Sequence, residues 1–109
     1  MQTAVQVICK NGPSLRKLIA AQGAKLDAYS LAKVAEKNPR RNPGWMKIKS
    51  TDRGTPGALN ISWDAETRTL LCRIVNRQLG TPNRIVGRFI DFLLRHHSKR
   101  IKAISIFQV

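Results

Sequence analysis

The sequence predicts a single α+β domain: a mainly antiparallel sheet with its helices packed on one face. Three observations predict this class. Short β-branched runs alternate in hydropathy, two segments have helical apolar spacing, and the 109 residues, 42% of them apolar, suit one core. The predicted order is β-α-β-β-β-α-β, with one domain over residues 1–109.

The first strand is predicted at residues 4–9, where β-branched side chains dominate. The segment that follows, residues 14–37, has helical apolar spacing that continues through Leu31, Val34 and Ala35. Gly23 weakens the middle of this segment, so it predicts one long helix or two shorter ones.

Two short helices around a glycine are also typical of a helix-turn-helix motif, and we keep this as an alternative. It fits poorly, because Ile19 occupies the position where the motif has a small residue. Residues 27–37, which would form the second helix of the motif, have only two cations, Lys33 and Lys37.

Two prolines predict a loop over residues 38–44, and residues 45–50 follow as a strand. Met46 and Ile48 point to one side of that strand, which we expect to meet the helices. The other side of the strand carries Trp45, Lys47 and Lys49.

A hairpin is predicted from strands at residues 58–63 and 68–77, joined by a four-residue turn. This register places Trp63 opposite Arg68 and predicts a cation–π contact between them. One face of the hairpin is apolar and belongs to the core. The other face carries two arginines, Arg73 and Arg77.

The clearest helix is predicted after Gly80, with Thr81 as its N-cap and Pro82 in its first turn. An apolar stripe over residues 85–94 faces the core. Residues 101–109 read as the final strand.

Charge is the main functional signal, because 20 Lys and Arg face only six Asp and Glu, a net charge of +14. Such a balance favours a polyanionic partner: nucleic acid, an acidic protein or an anionic membrane surface. We expect no membrane partner, since the stripe at residues 85–94 is needed for the core. A cationic surface that only keeps the chain in solution is the plain alternative.

The leading hypothesis is a small, non-enzymatic domain that binds DNA or RNA. Cations contact phosphates and a ring stacks on a base, as in sheets that bind single strands. The predicted sheet site comprises Trp45, Lys47, Lys49, Arg73 and Arg77. Basic loops add Arg40, Arg41 and Arg53. The alternative for Trp45 is a place at the edge of the core beside solvated lysines.

A second function hypothesis is an interaction module or small subunit that docks on an acidic protein or pairs with a second copy of itself through a sheet edge. No catalytic residue, cofactor or metal site is predicted. The acids do not converge, and His96 and His97 diverge by about 100° on a helix. Cys9 and Cys72 sit in apolar runs and indicate reduced thiols, which favours the cytoplasm.

Overall fold

In the computed structural model, a six-stranded sheet is covered on one face by three helices. The structure describes residues 3–54, 57–75 and 83–108. The strands are β1 (Thr3–Cys9), β2 (Leu31–Lys37), β3 (Trp45–Ser50), β4 (Ala58–Asp64), β5 (Thr69–Val75) and β6 (Ile101–Gln108). The helices are α1 (Leu15–Ala20), α2 (Gly23–Asp27) and α3 (Asn83–His97), followed by a 3-10 turn at Ser98–Arg100. The predicted class and layer arrangement are confirmed.

The strands are ordered β2-β3-β4-β5-β1-β6, and every neighbouring pair is antiparallel. Alternate residues of the four central strands point into one core, which the apolar sides of the helices complete. Its helical members are Leu15, Ile19, Leu26, Ile85, Val86, Phe89, Phe92 and Leu93. We call this side of the sheet the helix face and the opposite side the open face.

The prediction of helix was wrong for the end of residues 14–37, where Leu31–Lys37 forms β2 at one edge of the sheet. The register against β3 shifts between Lys33 and Ala35, which leaves Val34 as an extra residue. Leu31, Val34 and Ala35 are three and four residues apart in the sequence, yet in β2 they share no face, because Leu31 is buried and Val34 is 53% exposed. The same spacing is typical of a helix, so the apolar pattern was misleading.

The start of that segment follows the prediction more closely. Ser14 caps α1, because its side-chain oxygen accepts from the main-chain N–H of Lys17 at 3.3 Å. The five-residue helix α2 is followed directly by turn and strand. The helix-turn-helix alternative is therefore ruled out, because its second helix would need residues that form β2.

The β4–β5 hairpin has the predicted loop length but a register shifted by two. Trp63 lies opposite Leu70, so the predicted pairing of Trp63 with Arg68 is wrong. The connection runs over residues 65–68, and Arg68 adopts a left-handed φ of +53°. Because a shift of two keeps every side chain on its face, the predicted assignment of faces stands.

Three predictions fall on residues outside the described ranges: Thr81 as N-cap, Pro82 in the first helical turn, and Arg77 as a site residue. Across residues 3–54, 57–75 and 83–108, no helix is both long enough and apolar enough to cross a membrane.

Candidate nucleic-acid interface

A row of polar and cationic side chains crosses the middle of the open face. Lys47 of β3 lies opposite Asn60 of β4, and Asn60 lies opposite Arg73 of β5. Neighbouring strands are about 4.8 Å apart, so the main chains at Lys47 and Arg73 are roughly 10 Å apart. We call these three residues the central row. Strand register alone brings them together, because they are distant in sequence.

Asn60 sits between the two cations with an unused acceptor. Its Oδ1 atom is buried, and no group in the described part of the chain donates to it. An unpaired buried acceptor costs about 1–3 kcal/mol until a donor reaches it. Asn60 is thus a polar side chain of intermediate burial in the middle of the central row.

Trp45 and Lys49 continue this surface along β3, on either side of Lys47. Trp45 is half-buried and lies opposite Lys37 of β2, while Lys49 is exposed and lies opposite Ala32. The predicted alternation is confirmed, since the intervening residues of β3, Met46 and Ile48, are fully buried. The open face thus presents a ring beside several cations.

Apolar side chains extend the open face beyond what the sequence indicated. The central row continues from Arg73 through Ala4 of β1 to Phe107 of β6, whose side chain is 43% exposed. Leu71 is 42% exposed and lies on the same face. Sequence reasoning missed Phe107. Alternation within the last strand was visible, yet its pairing with β1 was not.

Carboxylates are kept away from the centre of the open face. Asp64, at the end of β4, lies on this side of the sheet opposite Thr69. Its Oδ1 atom accepts from the main-chain N–H groups of Glu66 and Thr67 at 3.0 and 3.4 Å. This acid stabilises the hairpin turn and leaves the cations of the central row uncompensated.

The loop over residues 38–44 is fixed to α1 by one arginine. Arg16 is fully buried, and its Nε atom donates to the carbonyl oxygen of Pro43 at 3.1 Å. Its Nη2 atom donates to the carbonyl oxygens of Pro39 and Arg41 at 3.3 and 3.0 Å. Glu36 Oε2 lies 3.9 Å from Nη1. Burial lowers the pKa of Arg16, and the charge of Glu36 opposes that shift.

Arg40 and Arg41 therefore have an ordered backbone. Lys17 Nζ donates to the Arg40 carbonyl oxygen at 3.0 Å, while the side chains of both arginines are exposed. The loop leads directly into Trp45. It places its two cations at one end of the sheet, on the side of α1, and not in the central row.

Arg53 belongs to a second loop that docks on α3. Arg88 Nη2 donates to Asp52 Oδ2 at 2.8 Å, and Arg84 Nη1 donates to the Gly54 carbonyl oxygen at 3.2 Å. The hydrogen bond from Arg88, followed by that from the Gly54 N–H group, lowers the pKa of Asp52. Because α3 covers the helix face, Arg53 is exposed on that side of the molecule.

Four of the eight predicted site residues thus share the open face: Trp45, Lys47, Lys49 and Arg73. Arg40 and Arg41 border it, Arg53 is separate, and Arg77 lies outside the described residues. Sequence reasoning missed Asn60 as a contact residue, although its place in the alternation of β4 was a usable signal.

Among residues 3–54, 57–75 and 83–108, no three His, Cys, Asp or Glu side chains come together in a group able to hold a metal ion. Comparison of the chain with protein-family models, curated proteins and solved structures found no match.

Proposed function

We propose that this chain is a small, non-enzymatic nucleic-acid-binding domain that uses the open face of its sheet. The observation that carries the proposal is the central row, where Lys47, Asn60 and Arg73 lie side by side and neither cation forms an ion pair with an acid of the described residues. Phosphate binding needs uncompensated cations, and this surface provides them.

Trp45 gives the proposed site a stacking platform next to its cations. A base stacked on an aromatic side chain contributes about 1–3 kcal/mol, but only an unpaired base exposes the needed face. A flat sheet with a ring and three cations therefore suits a single strand better than a duplex. Arg40 and Arg41, at the Trp45 end of the sheet, are placed to extend the phosphate contact.

The proposed setting is the cytoplasm, on the ground that Cys9 and Cys72 are buried free thiols. Burial raises the pKa of the Cys72 thiol, which disfavours the reactive thiolate. These cysteines therefore have no part in the proposed binding.

The proposal is tested by equilibrium binding of labelled single-stranded DNA, single-stranded RNA and duplex DNA across salt concentrations from about 50 to 200 mM. We expect the single strands to bind more tightly. A plot of log K against log salt should have a slope of about −2, since about 0.7 is lost per neutralised phosphate of a single strand. Three cations, Lys47, Lys49 and Arg73, account for this number.

Polyglutamate is the matched competitor in this assay, because it has negative charge but no bases. If polyglutamate competes as well as an oligonucleotide of equal charge, the acidic-protein hypothesis replaces this one. Absence of binding to any nucleic acid at the lowest salt concentration would refute the proposal.

A further inference from the structure

Strand β6 forms an edge of the sheet, and its regular part, Ala103–Gln108, lacks the usual protection against pairing. Its described neighbour is β1 alone, on one side. Its one charged side chain, Lys102, lies where the register with β1 shifts, and the regular part that follows, Ala103–Gln108, has neither a charge nor a proline. An unpaired, regular, apolar edge is a template for another strand, and proteins usually block it with charges or bulges.

Apolar side chains are exposed on both faces of β6. Ile106 lies opposite Val5, on the helix face, and is 52% exposed. Phe107 lies opposite Ala4, on the open face, and is 43% exposed. A strand that is apolar on both sides is typical of the interior of a sheet and not of its rim.

The opposite edge, β2, is protected in its middle, whereas β6 has its irregularity only near its start, at Lys102. Its bulge at Val34 interrupts the regular ladder, and Lys33 forms an ion pair with Glu36 at 2.8 Å. Lys37 follows, also exposed. Because only one edge of the sheet favours pairing, association through β6 ends at two copies and does not propagate into a fibre.

We propose that two copies of this chain pair through antiparallel β6 strands about a two-fold axis at Ser105. Such an axis is perpendicular to the sheet, so each residue meets a residue of the same face. With Ser105 on the axis, Ile104 lies opposite Ile106 on the helix face. Ala103 then lies opposite Phe107 on the open face. Each contact occurs twice and joins apolar side chains.

The charge pattern selects this register. With Ser105 on the axis the regular residues 103–107 pair with each other and the bulged Lys102 lies beyond them, whereas an axis at Ile104 would bring Lys102 next to Ile106. The two copies of Lys102 are separated by six residue steps, about 20 Å, along the strands. That distance exceeds the Debye length of about 8 Å at physiological salt, so their repulsion is largely screened.

The proposed dimerisation does not depend on the proposed nucleic-acid binding, and the two are distinguished by their opposite responses to salt concentration. Each copy carries a net charge of +14, so two copies repel each other at low salt. We expect dimerisation to strengthen as salt rises, whereas phosphate binding weakens.

The first experiment measures the mass of the 109-residue chain, freed of nucleic acid, by sedimentation equilibrium at low and high salt. We expect twice the mass of one chain in high salt. Ile106→Lys should weaken dimerisation at least tenfold, because it places a cation among the paired isoleucines. Leu94→Lys is the matched control, since Leu94 is 51% exposed but lies on α3, and it should dimerise like the parent. Circular dichroism checks that both variants fold.

The second experiment tests the register by disulfide formation between copies. Ser105→Cys should cross-link on oxidation, because the two positions face each other across the axis within disulfide reach. Ala103→Cys should not, since its two copies are about 14 Å apart. The native thiols Cys9 and Cys72 are buried. A monomer at all concentrations and salts, an Ile106→Lys dimer as strong as the parent, or equal cross-linking of both cysteine variants would each overturn the proposal.

Discussion

The Nη2 atom of Arg16 donates to the main-chain oxygen of Arg41 over 3.0 Å, so a buried cation holds the backbone of an exposed one. The same guanidinium also donates hydrogen bonds to the carbonyl oxygens of Pro39 and Pro43. The planar fork of arginine bonds all three oxygens of one loop at once, which a point charge does poorly. The most basic loop of the chain is thereby a fixed part of the fold.

We therefore expect Arg16→Lys to destabilise the protein by about 3 kcal/mol, despite conserving charge. The variant leaves loop carbonyl groups unpaired and buries an ammonium that lacks the fork geometry. Urea unfolding measures the loss. Lys17→Ala is the control, because Lys17 is exposed and makes one contact with the same loop, at Arg40. Its effect should stay below about 1 kcal/mol; equal losses for both variants would contradict this account.

A second prediction concerns Gly44, which ends that loop with a left-handed φ of +53°. A Cβ atom there would lie 2.6 Å from the Arg41 carbonyl oxygen and would also collide with Arg16 Nη2. We expect Gly44→Ala to cost about 3 kcal/mol from strain and the displaced guanidinium. Thermal and urea unfolding both report this loss.

Gly87→Ala should change the free energy of unfolding in the opposite direction in the same assay. Gly87 lies on the exposed side of α3, and a Cβ atom there meets nothing within 4 Å. The substitution should stabilise the protein by about 0.5–1 kcal/mol through helix propensity. If Gly44→Ala were as well tolerated as Gly87→Ala, the close fit of the loop on Arg16 would be wrong.

Much of the fold was predictable, because the face on which a strand residue lies depends on whether its position is odd or even. A register error of two residues leaves that assignment unchanged. The β4–β5 register was wrong by two, yet Arg73 stayed on the open face. The strand β2 was not predictable by the same logic. Its bulge at Val34 breaks the alternation by one residue, and its apolar residues Leu31, Val34 and Ala35 have helical spacing in the sequence although they share no face.

The candidate site was predictable along one strand but not across strands. Alternation alone separates Trp45 and Lys47 from the buried residues of β3. The meeting of Lys47 with Asn60 depends on pairing between β3 and β4, which a single sequence does not encode locally. Phe107 joined the face for the same reason, through the pairing of β6 with β1.

Replacement of the cations in the central row should lower nucleic-acid affinity and its salt dependence together. We expect Lys47→Ala and Arg73→Ala each to reduce the slope of log K against log salt by about 0.7 for a single strand. Arg95→Ala is the control, because Arg95 is exposed, as Arg73 is, but lies on α3 over the helix face. Equal effects of all three variants would indicate general electrostatic attraction without a site.

Trp45→Ala should behave differently from the cation variants. It removes a stacking surface, so affinity for a single strand should fall by about 1–3 kcal/mol with little change in the salt slope. Trp45 is half-buried and Trp63 is buried, so intrinsic fluorescence offers a direct check. An oligonucleotide should quench the parent, and this quenching should vanish in Trp45→Ala. Persistence of the quenching would exclude stacking on this ring.

The last prediction concerns His97, a buried side chain near the end of α3. Its Nε2 atom lies 2.7 Å from Gln22 Oε1, and its ring packs against Phe92 at a centroid distance of 5.7 Å. Burial lowers the pKa of His97, and three cationic neighbours add to this shift: His96, Lys25 and Arg100. The fold therefore favours the neutral imidazole, with its Nε2–H donating to Gln22.

A lowered pKa in the folded state means that the unfolded chain binds the additional proton first as the pH falls. The contribution of His97 to stability is complete above its ordinary pKa of about 6.5 and is lost as the pH falls through the lower folded value. We expect the free energy of unfolding to decline over this window in the parent and to stay flatter in His97→Gln. The hydrogen bond from Arg88 lowers the pKa of Asp52, so the stability that Asp52 contributes is lost only below its ordinary pKa of about 4, whereas the loss from His97 begins near pH 6.5. His96→Gln should retain the decline; a decline of equal size in His97→Gln would assign the effect to another group.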